Sequence, residues 1–220
     1  MPVRKIPKNY LCVTGSFASR KNGRMGGFES LLEKEYMLLL DFDDNVESFE
    51  EQPVTIPVPG VVRGYTPDVL VRFRADPATN QTRPPLLTEI KHSDDLKKNA
   101  DKYAPKFAAA TQYVIVRGWE FGLTTERDIR TPRLANLKFL REYRNIAPAE
   151  EDRALVLRLM EEADGTSSLQ DLLKQLAAGD EEQLYWLPVI WNLVLMRRLI
   201  TDLDVAIDNS VILHFPEGSP

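Results

Sequence analysis

The chain has 220 residues, room for one large domain or two small ones, and its 43% hydrophobic and 28% charged content is that of an ordinary globular protein. No apolar run reaches the roughly 20 residues of a membrane span, the basic N-terminus lacks a secretory h-region, and a lone Cys12 with two distant histidines, His92 and His214, excludes a disulfide framework and local zinc patterns, so a cytoplasmic chain is expected. The net charge of −5 hides an asymmetry, with 23 Lys/Arg against 19 Asp/Glu in residues 1–147 and 5 against 14 in 148–220; it points to two domains, with any polyanionic partner on the first.

Residues 1–27 hold two prolines, Lys-Asn-Gly and Met-Gly-Gly runs and six basic side chains without a sustained period, and read as an extended basic arm. A helix is predicted from Phe28 to Leu40, where Leu32, Tyr36, Leu39 and Leu40 recur at helical spacing without Gly or Pro. Three strands follow. Val54–Val58 carries Pro57 and suits an edge; Tyr65–Phe73 and Leu86–Lys91 read as a hairpin across a polar loop with Pro77, Asn80, Pro84 and Pro85. The next helix is predicted over Pro105–Arg117, with Pro105 at its first position, Gly118 past its end and an inner stripe of Phe107, Ala110, Thr111 and Val114. Trp119–Thr124 reads as a strand and Leu134–Tyr143 as a helix. The fold class is therefore α/β with a mixed sheet over 28–147.

Pro148 and Glu150-Glu151-Asp152 mark the boundary to a second domain, 148–220. Helices are predicted at Ala154–Ala163, Ser168–Ala177 (capped by Ser167 or Ser168) and Tyr185–Leu199. A hairpin of Val205–Ile207 with Val211–Leu213 completes a winged-helix-like α+β plan.

The chemistry-bearing residues are Asp68, Glu89 and Lys91. Asp68 heads one predicted strand; Glu89 and Lys91, two positions apart in the next, share a sheet face. Paired strands bring two carboxylates and an ammonium to one point. Oxygen ligands of this kind suit Mg²⁺, and a lysine there stabilises phosphate charge or positions an attacking water. A cross-strand salt bridge accounts for the same three residues. On the preceding helix, Glu29 and Glu33 lie one turn apart, either as a further acid or as surface glutamates.

Pro67-Asp68, twenty intervening residues and Glu89-Ile90-Lys91 resemble the PD-(D/E)xK signature of restriction-endonuclease-like nucleases. Together with Ser30–Tyr36, Leu38–Asp43, Val46, Phe49-Glu50-Glu51-Gln52-Pro53, Thr66-Pro67-Asp68 and Phe121–Glu126, the pattern resembles TnsA, the endonuclease family of heteromeric bacterial transposases, over most of 28–145. The resemblance implies a restriction-endonuclease-like core followed by a winged-helix-like domain. It implies Mg²⁺ (or Mn²⁺) held by Asp68, Glu89, the Ile90 carbonyl and Glu33, with Lys91 as catalytic lysine. Glu33 matches the family pattern better than Glu29 because it directly precedes the aromatic-leucine run. The implied activity is cleavage of the 5′ strands of double-stranded DNA at transposon ends. The implied partners are a DDE transposase (TnsB-like) and an AAA+ ATPase regulator (TnsC-like) docking on the acidic domain. A stand-alone nuclease of this superfamily and a non-catalytic scaffold are the rival expectations.

Further candidates carry less. His92 reads as a phosphate contact or a polar strand end, and Lys97, Lys98, Lys102 and Lys106 as a DNA path or a solvated helix face. Gln52 suits a structural role at the strand entry, Trp186 and Trp191 the core, and Cys12 an inert thiol.

Overall fold

A computed structural model describes residues 14–216; Arg4, Lys5, Lys8 and Cys12 of the expected arm lie outside them. The chain divides after Arg130 into two compact units. The boundary expected at Pro148 thus falls inside the second.

The first unit opens with β1 (Gly15–Ala18) and β2 (Met25–Phe28), an antiparallel hairpin where an extended arm was expected. Its basic residues have internal tasks. Asp41 accepts hydrogen bonds from Ser19 Oγ (2.8 Å) and Arg20 N (2.9 Å), Lys21 Nζ donates to the carbonyls of Asp43 and Val46, and Arg24 forms a two-pronged pair with buried Glu51 (2.7 and 3.0 Å). These are long-range contacts, which a reading of local periodicity does not register.

Helix α1 (Leu31–Phe42) buries Leu32, Met37, Leu38, Leu40 and Phe42 and ends at Asp43. Strand β3 (Val46–Glu51) was not anticipated, because a bulge between Val46 and Ser48 breaks its alternation. β4 (Ile56–Val58) and β5 (Val61–Tyr65) pair as a separate two-stranded sheet. Gly64 makes that pairing possible: its φ is +66°, and a Cβ there would sit 2.7 Å from the Ile56 carbonyl. β6 (Val69–Phe73) and β7 (Leu86–Ile90) form the expected antiparallel hairpin.

α2 (Ser93–Lys98) and α3 (Ala100–Ile115) follow, then β8 (Glu120–Thr124) and the short α4 (Glu126–Ile129). Pro105 lies inside α3 instead of opening it, and Thr111 is exposed, bonded back to the Phe107 carbonyl. The four-stranded sheet runs β3-β6-β7-β8 and is mixed, since β7 and β8 are parallel. Leu70 and Leu87 face a core with Ile56, Val58, Tyr65, Ala110 and Val114, onto which Phe107 and Phe121 pack. Alternation along β7 puts Glu89 on the same side as Leu87.

The second unit contains α5 (Pro132–Arg141), a 3₁₀ turn (Glu142–Asn145), α6 (Glu150–Glu162), β9 (Thr166–Ser168), α7 (Leu169–Leu176), α8 (Asp180–Leu195) and β10 (Ile212–His214). The three expected helices are present, with Ser168 capping α7. The expected wing is not: β10 pairs antiparallel with β9, and residues 205–207 form no strand. The competing interaction is buried Asn136 on α5, whose Nδ2 donates to the carbonyls of Leu203 (2.8 Å) and Val205 (2.6 Å). Asn192 on α8 likewise donates to the Tyr143 (3.2 Å) and Ile146 (2.9 Å) carbonyls. These bonds tie 136–146 to the second unit and explain why the division precedes Pro148. Trp191 is core, as expected, at 3% exposure.

Replacing Asn136 by Ala should cost about 1–2 kcal/mol, chiefly by stranding the buried Leu203 carbonyl, since the Val205 carbonyl is only part-buried. Urea unfolding measures the loss, and limited proteolysis should place new cleavage within 200–210.

Candidate active site

Asp68 immediately precedes β6 and Lys91 immediately follows β7, so the β6–β7 ladder (Val69↔Thr88, Leu70↔Leu87) brings both to the same end of the two central strands. The Lys91 ammonium stands at the meeting point. Its Nζ lies 3.1 Å from Asp68 Oδ2, 2.9 Å from Glu89 Oε1 and 3.1 Å from the Ile90 carbonyl, to which it donates. The Ile90 N–H also donates to Asp68 Oδ2 at 2.7 Å, and the Lys91 N–H to the Thr124 carbonyl at 3.1 Å, which fixes the strand end against β8.

Burial makes this cluster electrostatically unusual. Glu89 is 5% exposed. Burial and the neighbouring charge of Asp68 push its carboxyl up to about 7, against the pull of Lys91. Burial likewise raises Asp68, opposed by Lys91 and the Ile90 N–H. For Lys91, burial works downward, but Asp68 and Glu89 outweigh it and hold the ammonium above its ordinary value. One fixed cation thus sits between two carboxylates that cannot both be solvated.

Glu33 is placed differently. It occupies the first turn of α1, where the Ser30 hydroxyl donates to Oε1 (2.9 Å) and the Glu29 N–H to Oε2 (2.8 Å), while Ser30 Oγ accepts from the Glu33 N–H. This is a helix-start arrangement that the sequence Ser-x-x-Glu encodes. The carboxylate bonds of Glu33 thus go to Glu29 and Ser30, yet burial and then the charge of Asp68 raise its carboxyl to about 7.

Among the described residues no three His, Cys, Asp or Glu side chains form a ready-made metal cluster. Asp68 Oδ2, Glu89 Oε1 and the Ile90 carbonyl nevertheless converge on a single cation, the Lys91 ammonium. An all-oxygen set of this kind fits a hard divalent ion. Glu33 fits only by releasing its bonds at the helix start.

The other candidates stand apart. His92 is exposed and lies 3.5 Å from Glu126. Lys97, Lys98 and Lys102 are exposed on α2 and α3.

Three contributing residues escaped the sequence reading. Tyr65, 5% exposed at the end of β5, donates its hydroxyl to Glu89 Oε2 at 2.8 Å, so that both Glu89 oxygens are held. Its position three residues before Asp68 was the available signal. Glu126 accepts from Ser93 N (2.7 Å) and Oγ, bonds that lower its carboxyl to about 2 and tie α4 to the segment after Lys91. Gln52, noted only for the strand entry, is buried, adopts φ +45° and donates its N–H to the Asp68 carbonyl at 2.8 Å.

Two family models match the chain: TnsA-like endonuclease N terminal over residues 43–126 and TnsA endonuclease C terminal over residues 128–203. The whole four-stranded sheet, with Asp68, Glu89 and Lys91, lies within the first match, and Glu33 precedes it. No curated protein matches the chain.

Two outcomes follow from this geometry. Folded Glu33 keeps its proton up to about 7, against 4.5 for an ordinary glutamate, so the folded chain binds more protons through that window. The stabilisation is complete below about 4.5 and is lost as pH rises through about 7, so Glu33→Gln should flatten that fall in urea titrations at successive pH values. Tyr65→Phe, which frees one Glu89 oxygen, should weaken binding of added Mn²⁺ by about tenfold, read by calorimetry, because outer partners of ligating carboxylates typically contribute that much.

Proposed function

Because the chain belongs to the TnsA endonuclease family, we propose that it is a metal-dependent DNA endonuclease that cuts the 5′ strands at transposon ends. It works beside a DDE transposase subunit that processes the 3′ ends, with an AAA+ ATPase as regulator. Family membership gives the coarser statement, an endonuclease subunit of a Tn7-type transposition complex. The finer reading draws its support from one observation: oxygens of Asp68, Glu89 and Ile90 meet around a single cationic point within the segment that the endonuclease match covers.

In this reading Asp68, Glu89 and the Ile90 carbonyl hold Mg²⁺, with Glu33 as the outlying acid. A bound divalent ion would supply Lewis-acid stabilisation of phosphate charge and a more acidic water. Lys91 supplies the second positive charge. An ammonium held above its ordinary value is a poor proton acceptor, so its role is to orient water and stabilise the oxygens of the attacked phosphate. Glu89 has both oxygens engaged, Oε1 at the cation point and Oε2 by the Tyr65 hydroxyl, so it acts as a ligand and the proton of that water passes to solvent. The water oxygen attacks phosphorus, one phosphorus–oxygen bond breaks, and a phosphate and a hydroxyl remain at the nick.

The acidic C-terminal part, with 5 Lys/Arg against 14 Asp/Glu over 148–220, repels phosphates and suits a protein partner better than a duplex. Among the described residues no helix is long and apolar enough to cross a membrane.

The test is strand cleavage of a labelled transposon-end duplex with Mg²⁺, Mn²⁺ or EDTA, with and without the transposase partner. Cutting of the 5′ strand only with metal and partner is expected, and Asp68→Asn or Lys91→Ala should reduce it at least a thousandfold while circular dichroism stays unchanged. Cutting by the chain alone would make it an independent nuclease. No mutant-sensitive cutting in a folded complex would leave a scaffold.

A further inference from the structure

We propose that Lys102 and Lys106, side by side on α3, form the surface that carries the phosphate backbone of duplex DNA to the candidate active site. This rests on the nuclease reading above and names the element that holds its substrate.

The two lysines are four residues apart and so neighbours on one helix face. They are bound to the site through a series of aromatic contacts. The Lys106 ammonium lies 6.0 Å from the centre of the Tyr65 ring and 5.8 Å from that of Tyr103. Lys102 lies 5.8 Å from the Tyr103 ring. Tyr103 stacks on Phe107, with centroids 5.4 Å apart and planes at 8°, and Phe107 meets Tyr65 at 6.3 Å. The Tyr65 hydroxyl in turn holds Glu89. Lys106 therefore rests on the very ring whose far end touches the catalytic cluster.

These ammoniums are available to a ligand. Among the described residues neither Lys102 nor Lys106 has a carboxylate ion-pair partner within 4.0 Å; ring contacts position them while leaving their charge unneutralised. Asp95 lies within Coulombic reach of both Lys91 and Lys102, but its carboxylate already accepts from the Tyr103 hydroxyl and Asn99 Nδ2. Asp94 and Asp101 are exposed acids of the same segment and limit its net charge. Lys97 and Lys98, exposed on α2, extend the basic run from Lys91. Several other cations of the first unit are committed: Lys21 and Arg24 to β3 and its approach, Arg20 to Asp41, and Arg130 to Glu35; Arg72 and Arg83 rest on the rings of Trp119 and Phe73, outside the aromatic series that leads to Glu89.

The experiment measures binding of a short labelled duplex to the full chain in EDTA, by fluorescence anisotropy, over a range of salt. Each phosphate contact contributes about 0.9 to the slope of log affinity against log salt, so Lys102→Ala/Lys106→Ala should reduce that slope by about 1.8. Lys102→Arg/Lys106→Arg should retain it, and Lys174→Ala, on the second unit, should leave it unchanged. An unaltered slope in the alanine double variant overturns the proposal, as does a wild type without affinity for the duplex at low salt. Equal capture of poly-glutamate would replace the duplex by any polyanion and overturn it too. The readout needs no metal, so the two readings fail separately. A lost slope with no Mg²⁺-dependent nicking removes the nuclease and keeps the surface; nicking with an unaltered slope removes the surface alone.

Discussion

The first unit is organised around a compromise at the end of two strands: one lysine ammonium shared by two carboxylates in a place where water is scarce. Removing either acid would leave an ammonium in partial burial, and removing the lysine would leave Asp68 and Glu89 to repel each other. Such a group is costly to assemble and is weak evidence of stability in itself. What it needs is rigid support, and the surrounding elements supply it. The Ile90 N–H and the Gln52 N–H fix Asp68 from opposite sides, through its carboxylate and its carbonyl. Tyr65 holds the second oxygen of Glu89, and β8 holds the backbone of Lys91 through Thr124.

That support explains features which look incidental one at a time. β4 and β5 form a sheet of their own, yet β5 ends in the tyrosine that reaches Glu89. Gln52 accepts a left-handed φ although it precedes a proline, which ordinarily favours extended backbone. A strained residue costs on the order of 1–3 kcal/mol and persists where its surroundings over-determine it. Here the constraint is visible: the conformation ends β3 while keeping the Gln52 N–H on the Asp68 carbonyl. Gln52 Oε1 is buried with no hydrogen-bond partner among the described residues, which adds to the same cost.

The sequence disclosed the parts of this arrangement that follow local rules. Leu32, Tyr36 and Leu39 repeat at helical spacing, and α1 is there; the Tyr65–Phe73 and Leu86–Lys91 runs pair antiparallel across their polar loop, although the first is broken at Thr66–Asp68 into two strands. Glu89 and Lys91 could be placed on one face from their spacing alone. What stayed hidden depends on partners distant in sequence. Residues 15–28 carry no period, because their hairpin is held by Asp41 and Glu51. Val46–Glu51 hides its alternation in a bulge. Val205–Ile207 has the composition of a strand, but Asn136 occupies the carbonyls of Leu203 and Val205 and β10 pairs with Thr166–Ser168 instead. Tyr65 is the clearest case. Its place three residues before Asp68 sets it near the site, but its bond to a carboxylate 24 positions away follows from the tertiary pairing of the strands and not from a local rule.

Glu33 shows how one residue can satisfy two readings of a sequence without serving both at once. Ser30-x-x-Glu33 is a helix-start signature, and both Glu33 oxygens are engaged at that start. The same carboxyl sits close enough to Asp68 for that charge to raise it. Moving it into the cluster would break two hydrogen bonds at the head of α1, each contributing roughly 0.5–1.5 kcal/mol, and would add a third negative charge beside one ammonium. The inner set of Asp68, Glu89, Ile90 and Lys91 requires no such exchange, since its atoms already meet. Burial and charge therefore rank the carboxylates: two in contact with the cation, and a third held at the helix start whose recruitment requires additional positive charge.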